Sequence, residues 1–189
     1  MGKRVVILAS GAGSNAGNII RHLRNVNGAD VVAICSNNRS AGVLNIAEEE
    51  DVESFVFSKY ELEETDVLDQ FLAKKNPDLI VLAGFLLKFP ERLINEYPNK
   101  VINLHPALLP KFGGKGMYGI NVHRAVVEAK EKETGITIHY VNENYDEGAV
   151  IAQFSSAVLE GETAENIQDK IKLLEQNYFP KTVEKIIFK

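Results

Sequence analysis

"RVVILASGAGSNAGNII", residues 4–20, contains the pattern that decides the fold. Its first half is continuously apolar, which predicts a strand buried on both faces of a parallel sheet. The glycines that follow predict a tight turn. Apolar residues then recur with helical spacing at Ala16, Ile19, Ile20 and Leu23. The segment therefore predicts the first strand–turn–helix unit of an α/β fold.

The same alternation continues along the first half of the chain. Strands are predicted at 30–36, 54–57, 78–85 and 101–105, and helices at 41–50, from Thr65 as N-cap to Asn76, and at 90–97. Strands that alternate with helices form parallel sheets with right-handed crossovers. We therefore expect a parallel sheet in residues 1–100.

The second half has a different pattern. A glycine-rich loop is predicted at 111–120, a helix at 121–130, and two strands at 134–141 and 149–158 that flank a turn and pair antiparallel. A last helix is predicted from Thr163, with Pro180 ending or kinking it. The fold class is thus a single α/β domain over 1–189. Its Rossmann-like, mostly parallel sheet is flanked by helices and carries an antiparallel extension, with a parallel, nucleotide-type half at about 1–100 and a mixed half at about 101–189.

Composition excludes several classes of protein. Hydrophobic residues make up 45% and charged residues 25% of the chain, as in ordinary globular proteins. The net charge of −5 argues against nucleic-acid and membrane partners. Cys35 is the only cysteine, and neither a disulfide framework nor a metal-ligand spacing is present. We expect a cytoplasmic protein without a metal, a signal peptide or a transmembrane helix, acting on small molecules as a monomer or homodimer.

The glycine turn at 10–17, SGAGSNAG, is the first candidate binding site. Glycines let a backbone approach a ligand closely, and a helix N-terminus favours an anion. Dinucleotide-binding proteins usually place an acidic residue after the second strand, where this chain has Ser36, Asn37 and Asn38. A phosphate is therefore expected rather than NAD, and a tight turn without a ligand remains the alternative.

The stretch VINLHPALLP at 101–110 is the second candidate. Residues i and i+2 of a strand share one face about 6.6 Å apart, so Asn103 and His105 can converge on one small group. Pro106 holds His105 in an extended conformation. Because ligands bind at the carboxyl edge of open α/β sheets, this pair is predicted to be functional.

Other ionisable residues are less decisive. Glu143, Asp146 and Glu147 share one turn, and spacing selects none of them over a solvated acidic loop. His139 can face either the core or the site. His22 and His123 are predicted on helix surfaces, and Cys35 as a packing residue.

Five segments together resemble the folate-dependent formyltransferases, and among them the phosphoribosylglycinamide formyltransferases. They are LASGAGSNAGNI at 8–19, LAGFLLKFP at 82–90, INLHPALLPKF at 102–112, TGITIHYVNENYDEGAVIAQ at 134–153 and EQNYFP at 175–180. This resemblance implies formyl transfer from 10-formyltetrahydrofolate to the amine of phosphoribosylglycinamide, in purine biosynthesis. No sequence is left over for a basic RNA-binding domain or a regulatory domain, which related formyltransferases carry.

The resemblance also implies roles for individual residues. It assigns the substrate phosphate to Gly13, Ser14 and Asn15, the glycinamide end to Glu175, and catalysis to Asn103, His105 and Asp146. It assigns the folate pocket to Leu86, Leu87, Lys88, Phe89, Asn103, Val141, Asn142, Glu143, Asn144, Tyr145 and Asp146. Relatives often have an arginine where Leu87 stands, whereas here Lys88 follows it. Lys88, Arg92, Lys111 and Lys115 are candidates for steering the anionic substrates.

The implied chemistry explains why the strand carries an amide and an imidazole. Asn103 would donate to the oxyanion that develops on the formyl oxygen, and a protonated His105 would add a charged donor. Asp146 would favour the imidazolium. Two other classes remain open: a redox or sugar-nucleotide enzyme of Rossmann type, and a catalytically silent binding module.

Overall fold

The first strand of the chain lies inside the sheet, with two strands on one side and four on the other. The computed structural model describes residues 2–189. The strands in this range are β1 (Lys3–Leu8), β2 (Ala29–Ser36), β3 (Ser54–Val56), β4 (Leu79–Leu82), β5 (Val101–His105), β6 (Glu133–Tyr140) and β7 (Val150–Ala157). Their order across the sheet is β3-β2-β1-β4-β5-β6-β7.

Strand direction changes at β5. The pairs from β3 to β5 are parallel, whereas β6 pairs antiparallel with β5, and β7 antiparallel with β6. The predicted fold class, a mostly parallel sheet with an antiparallel extension, is confirmed. One sheet runs through both of the predicted halves.

Helices cover both faces of the sheet. They are α1 (Ser14–Arg24), α2 (Val43–Glu49), α3 (Lys59–Glu64), α4 (Val67–Lys75), α5 (Glu91–Glu96), α6 (Ile120–Glu128) and α7 (Ala164–Ile187). On one face α1, α2, α6 and α7 pack against residues such as Ile7 and Ile102. On the other, α3, α4 and α5 pack against Leu8 and Ile80. Because both faces are buried, all four positions of β4 and the last four of β1 carry apolar side chains.

Thr65 lies one residue before the N-cap position of α4, the helix that it was predicted to cap, and its hydroxyl accepts the backbone N–H of Val67 at 3.5 Å. A short helix, α3, precedes it; Ser58 caps α3 in a capping box with Glu61. Thr65 stands at the end of α3, where its hydroxyl donates to the carbonyl oxygen of Glu61 at 2.8 Å. Asp66 occupies the N-cap position of α4. Only Leu62 is buried in α3, so the sequence has no helical apolar pattern there.

The last helix begins as predicted but does not end at Pro180. Thr163 caps α7 together with Asn166, and the helix continues through Pro180 to Ile187. Val183 and Ile187, beyond the proline, are buried in the same core as the rest of the helix. Burial of these apolar side chains stabilises the continuation despite the hydrogen bond that proline cannot donate.

Polar contacts hold α1 beside α7. Nε2 of His22 lies 2.7 Å from Oε2 of Glu184, and Asn18 donates its side-chain amide to the carbonyl oxygen of Gln176 at 2.8 Å. His22 is therefore half-buried between two helices, and its predicted place on a helix surface is only partly correct. The Asn18 contact fixes the middle of α7 close to the glycine turn.

Candidate active site

A cavity of about 570 Å³ lies over the carboxyl ends of β1, β4 and β5. Ligands bind at this edge in open α/β sheets. The strand predicted to run to residue 85 ends at Leu82, and Gly84, with φ 75°, starts the loop that lines the cavity. Loop 114–119 and one side of α7 form the remaining walls.

Asn103 and His139 face each other across the antiparallel pair β5–β6. The side-chain amide nitrogen of Asn103 lies 3.2 Å from Nε2 of His139. Nδ1 of His139 lies 2.9 Å from the carbonyl oxygen of Tyr140 and donates its hydrogen there. Nε2 of His139 is then free to accept from Asn103. His139 faces the site rather than the core, which the sequence left open.

Asp146 is the turn carboxylate that the fold brings to this pair. Its Oδ1 lies 3.4 Å from the amide nitrogen of Asn103, and its Oδ2 lies 3.4 Å from Nδ1 of His105. The backbone N–H of Gly114 donates to Oδ2 at 2.9 Å. Burial raises the pKa of Asp146, but His139, His105 and this N–H together outweigh it and hold the pKa below its usual value. Asp146 is therefore ionised at neutral pH.

The other two acidic residues of the turn do not reach the cavity. Glu143 and Glu147 are exposed, and neither lines its wall. Glu143 was predicted to contact the folate, and nothing in its position supports that role. Asp146 has a left-handed backbone, with φ 57°, which turns its side chain away from those of its neighbours.

His105 is almost fully buried, with 3% of its surface exposed. Burial lowers its pKa more than the Asp146 anion and the carbonyl of Phe112 raise it. Burial therefore favours the neutral imidazole, whereas Asp146 favours the imidazolium that the resemblance implies. Nε2 donates to the carbonyl oxygen of Phe112 at 2.7 Å, so Nδ1 carries the lone pair and faces Asp146.

The glycine turn forms a second part of the cavity. Ser14 and Asn15 line it at the start of α1, where no side chain caps the helix N-terminus. Free N–H groups at such an end favour an anion. Asn15 donates to Oε2 of Glu175 at 2.8 Å. Burial raises the pKa of Glu175, although Asn15 and Lys172 oppose this shift.

The backbone of the turn itself requires a glycine at position 13. Gly13 does not line the cavity, and its φ of 81° is left-handed. A Cβ atom at this position would lie 2.6 Å from Cα of Val43. The turn therefore requires glycine whether or not a phosphate binds there.

The predicted folate pocket forms the third wall. Apart from Glu143, all of its predicted members line the cavity: Leu86, Leu87, Lys88, Phe89, Asn103, Val141, Asn142, Asn144, Tyr145 and Asp146. The loop after β4 is held by Ser10, whose hydroxyl accepts the backbone N–H of Leu86 at 2.9 Å. That hydroxyl donates to Oδ1 of Asn37 at 2.6 Å, which ties together the loops that follow β1, β2 and β4.

Two of the four candidate steering cations lie at the cavity. Lys88 and Lys115 line it. Arg92 instead binds the Asp69 carboxylate, with Nε at 2.8 Å, and Nζ of Lys111 lies 2.8 Å from Oε1 of Glu131. Those two cations are already paired outside the cavity.

On one side of the cavity, only Glu175 was identified from the sequence. Gln168, Lys172 and Glu175 line it together, and their spacing places them on one side of α7. In the sequence these three polar residues recur at helical spacing, next to the apolar residues of the same helix. His123 also lines the cavity and is 2% exposed, so its predicted place on a helix surface is wrong.

Three further properties bear on the class of the site. Within residues 2–189, no cluster of three His, Cys, Asp or Glu side chains has a metal-binding arrangement. None of the helices in that range combines the length and apolarity needed to cross a membrane. Cys35 is buried, and burial raises the pKa of its thiol, as expected of a packing residue.

A sequence profile described as formyl transferase matches residues 3–183. The chain belongs to the formyl transferase family.

This formyl transferase is similar to curated proteins of plants and bacteria. It is 38% identical to the chloroplastic phosphoribosylglycinamide formyltransferase of Arabidopsis thaliana, over 89% of this chain and 60% of that protein. It is 33% identical to the phosphoribosylglycinamide formyltransferase of Bacillus subtilis, over 98% of this chain and 95% of that one. The chain thus spans about 60% of the length of the plant relative.

Solved structures agree with this assignment. The phosphoribosylglycinamide formyltransferase of Brucella melitensis matches with a TM-score of 0.89 and 33% identity, over 99% of this chain and 96% of that one. The corresponding enzyme of Anaplasma phagocytophilum matches with a TM-score of 0.89 and 32% identity, over 99% and 88% of the two chains.

Proposed function

We propose that this formyl transferase moves the formyl group of 10-formyltetrahydrofolate to the amine of 5'-phosphoribosylglycinamide, in purine biosynthesis. The observation that carries the proposal is the convergence of Asn103, His105, His139 and Asp146 on the floor of one cavity. An uncapped helix N-terminus borders the cavity on one side and an apolar loop on the other. These walls suit a phosphorylated acceptor and a flat pterin.

The acceptor substrate binds along α1 and α7. Its phosphate is bound by the N–H groups of the turn Gly13, Ser14 and Asn15, because a helix N-terminus attracts an anion. Glu175 holds the glycinamide end. The hydrogen bond between Asn15 and Glu175 supports this arrangement, because it joins a residue of the phosphate turn to the residue that holds the glycinamide end.

The formyl donor binds against the loops after β4 and β6. The pterin lies between the 86–89 segment and the 141–146 turn, and Phe89, which is 3% exposed, provides a fixed apolar surface. Lys88 lines this wall and supplies a cation for the folate carboxylates.

Formyl transfer is a direct attack of the amine on the formyl carbon. The C–N bond forms, and the formyl oxygen becomes an oxyanion. Asn103 donates an N–H of its side chain to this oxygen; the two hydrogens of that amide otherwise face His139 and Asp146. Collapse of the intermediate then breaks the bond between the formyl carbon and N10 of the folate.

His105 and Asp146 move the proton. The neutral imidazole takes up the proton that the amine releases, at Nδ1, where the Asp146 carboxylate stabilises the resulting imidazolium. The same pair returns the proton to the leaving nitrogen, so the reaction balances without any other acid or base.

A direct assay tests the proposal. Loss of the formyl group from 10-formyltetrahydrofolate is followed with and without 5'-phosphoribosylglycinamide, and the formylated product is identified by mass. We expect transfer only with the acceptor present. Equal loss without the acceptor would show hydrolysis instead, and no loss at all would contradict formyl transfer.

A further inference from the structure

His123 on α6 is a buried polar residue that the proposed reaction does not use. It lines the cavity and is 2% exposed. Its Nδ1 is fully enclosed and has no hydrogen-bond partner within residues 2–189. Because Nδ1 is enclosed, a ligand in the cavity can reach only Nε2 of this ring.

The enclosed nitrogen determines which tautomer is present. A buried N–H without an acceptor costs about 1–3 kcal/mol, and orphaned N–H groups are rarer than orphaned acceptors. The hydrogen of His123 therefore sits on Nε2, the nitrogen farther from the backbone. Burial and, next to it, the Lys172 cation lower the pKa of His123 to about 4. The ring is thus a neutral donor at neutral pH.

The surroundings of His123 are suited to an oxygen-rich ligand. α6 packs against α7, whose side chains Gln168, Lys172 and Glu175 line the same cavity. Lys172 is half exposed and pairs with Asp169 of its own helix, so it can turn towards an anion. The apolar folate wall belongs to other loops.

We propose that Nε2–H of His123 binds an oxygen atom of the phosphoribosyl group of the acceptor substrate. This inference rests on the proposed function, because it takes its ligand from the acceptor side of that reaction. His123 is then a binding residue that distinguishes an amine carrying a phosphoribosyl group from amines without one.

Three variants separate binding from folding. His123→Leu removes the donor, whereas His123→Gln keeps an N–H near the position of Nε2. Thr134→Val is the matched control, since Oγ1 of Thr134 is also buried without a partner but does not line the cavity. Removing an unpaired buried polar atom does not destabilise a fold, so no variant is expected to lower the melting temperature.

Calorimetric titration with ribose 5-phosphate gives the decisive readout. We expect affinity to fall about tenfold in His123→Leu, the effect of one hydrogen bond, to stay within about threefold in His123→Gln, and to be unchanged in Thr134→Val. Titration with inorganic phosphate then tells which oxygen is bound: a parallel loss indicates the phosphate, and no loss a ribosyl oxygen.

Failure of this inference and failure of the proposed function differ in outcome. Equal affinity of the wild type and His123→Leu for ribose 5-phosphate, or no binding by the wild type, would overturn the role of His123 even if formyl transfer is observed. A loss of affinity in His123→Gln as large as in His123→Leu would do the same. Affinity that depends on His123, in a protein without formyl transfer, would overturn the function and leave the binding site.

Discussion

Nε2 of His105 donates to the carbonyl oxygen of Phe112 at 2.7 Å, and Oδ2 of Asp146 accepts from the backbone N–H of Gly114 at 2.9 Å. Two residues of the proposed catalytic set thus hold the start of the glycine-rich loop. Loop 114–119 lines the cavity, so the same contacts position its wall. In the proposed reaction Nδ1 takes up the proton, so the ring keeps its hydrogen bond to the Phe112 carbonyl, and this bond strengthens when the ring is charged. We therefore expect ligand binding and loop movement to be linked.

Limited trypsin digestion tests this link at Lys115, which is exposed in the loop. Both substrates together should slow cleavage there, because they bury the loop, whereas His105→Leu should accelerate it by removing one anchor. Cleavage after Lys130, an exposed residue at the end of α6, is the internal control. Equal cleavage at Lys115 with and without substrates would contradict a closing loop.

Replacing Asp146 with Asn removes charge and little else. Asn adopts a left-handed backbone more readily than most residues, so φ 57° is tolerated. We expect kcat/KM to fall about 10²-fold, the size of an acid–base or oxyanion contribution. The Asp146 anion raises the pKa of His105, so the variant should show a still lower pKa for that imidazole by NMR titration.

Glu147→Gln is the control for this experiment, because Glu147 is exposed in the same turn. A comparable loss of activity in Glu147→Gln would mean that the general charge of the turn, rather than Asp146, supports catalysis.

Ser10→Ala should affect the folate side of the site. The hydroxyl of Ser10 accepts from Leu86 and donates to Asn37, so its loss leaves the N–H of Leu86 unpaired. We expect KM for the folate to rise about tenfold, with a smaller change for the ribosyl substrate. Ser40→Ala, in the exposed turn after β2, should change neither. Equal effects on both substrates would indicate a loss of fold instead.

Gly13→Ala should unfold the protein more readily. The new Cβ would lie 2.6–2.7 Å from atoms of Val43, and φ 81° disfavours any L side chain. We expect a loss of about 1–3 kcal/mol in the free energy of unfolding. Gly11→Ala is the matched control, because a Cβ there meets no atom within 4 Å. Denaturant titration of both variants decides the comparison.

Stability should depend on pH through His123. Its pKa is about 4 in the folded protein, below the ordinary value of 6.5, so the unfolded chain binds the proton more tightly. The free energy of unfolding therefore falls as pH drops from about 6.5 towards 4, by about 1–3 kcal/mol. His123→Leu should reduce this slope, and an unchanged slope would mean that other groups cause it.

An element is predicted correctly from the sequence when the residues that determine it are close together in the chain. The run at 4–10 and the spacing at 16–23 are local patterns, and they gave β1 and α1 correctly. Helix α3 was missed because it buries only Leu62. Of the two effects predicted for Pro180, an end of the helix does not occur, because distant packing partners bury the residues that follow.

The residues of the site could be predicted only from the family resemblance or from the pattern of a single strand. Asn103 and His105 share a strand face, which is a local property, whereas the approach of Asp146 depends on a turn and a strand pair. The burial that lowers the pKa of His105 depends on side chains distant in the sequence. The cavity position of His123 results from packing of α6, which no local pattern reports.

The pairing of Asn103 with His139 across β5 and β6 has a consequence for the growing chain. During synthesis β5 is made before β6, and until β6 joins it the sheet ends in an apolar, unpaired edge. Such edges recruit strands from other chains. The step that covers the edge of β5 is therefore the same step that brings His139 to Asn103, so the reaction centre cannot form while that edge is exposed.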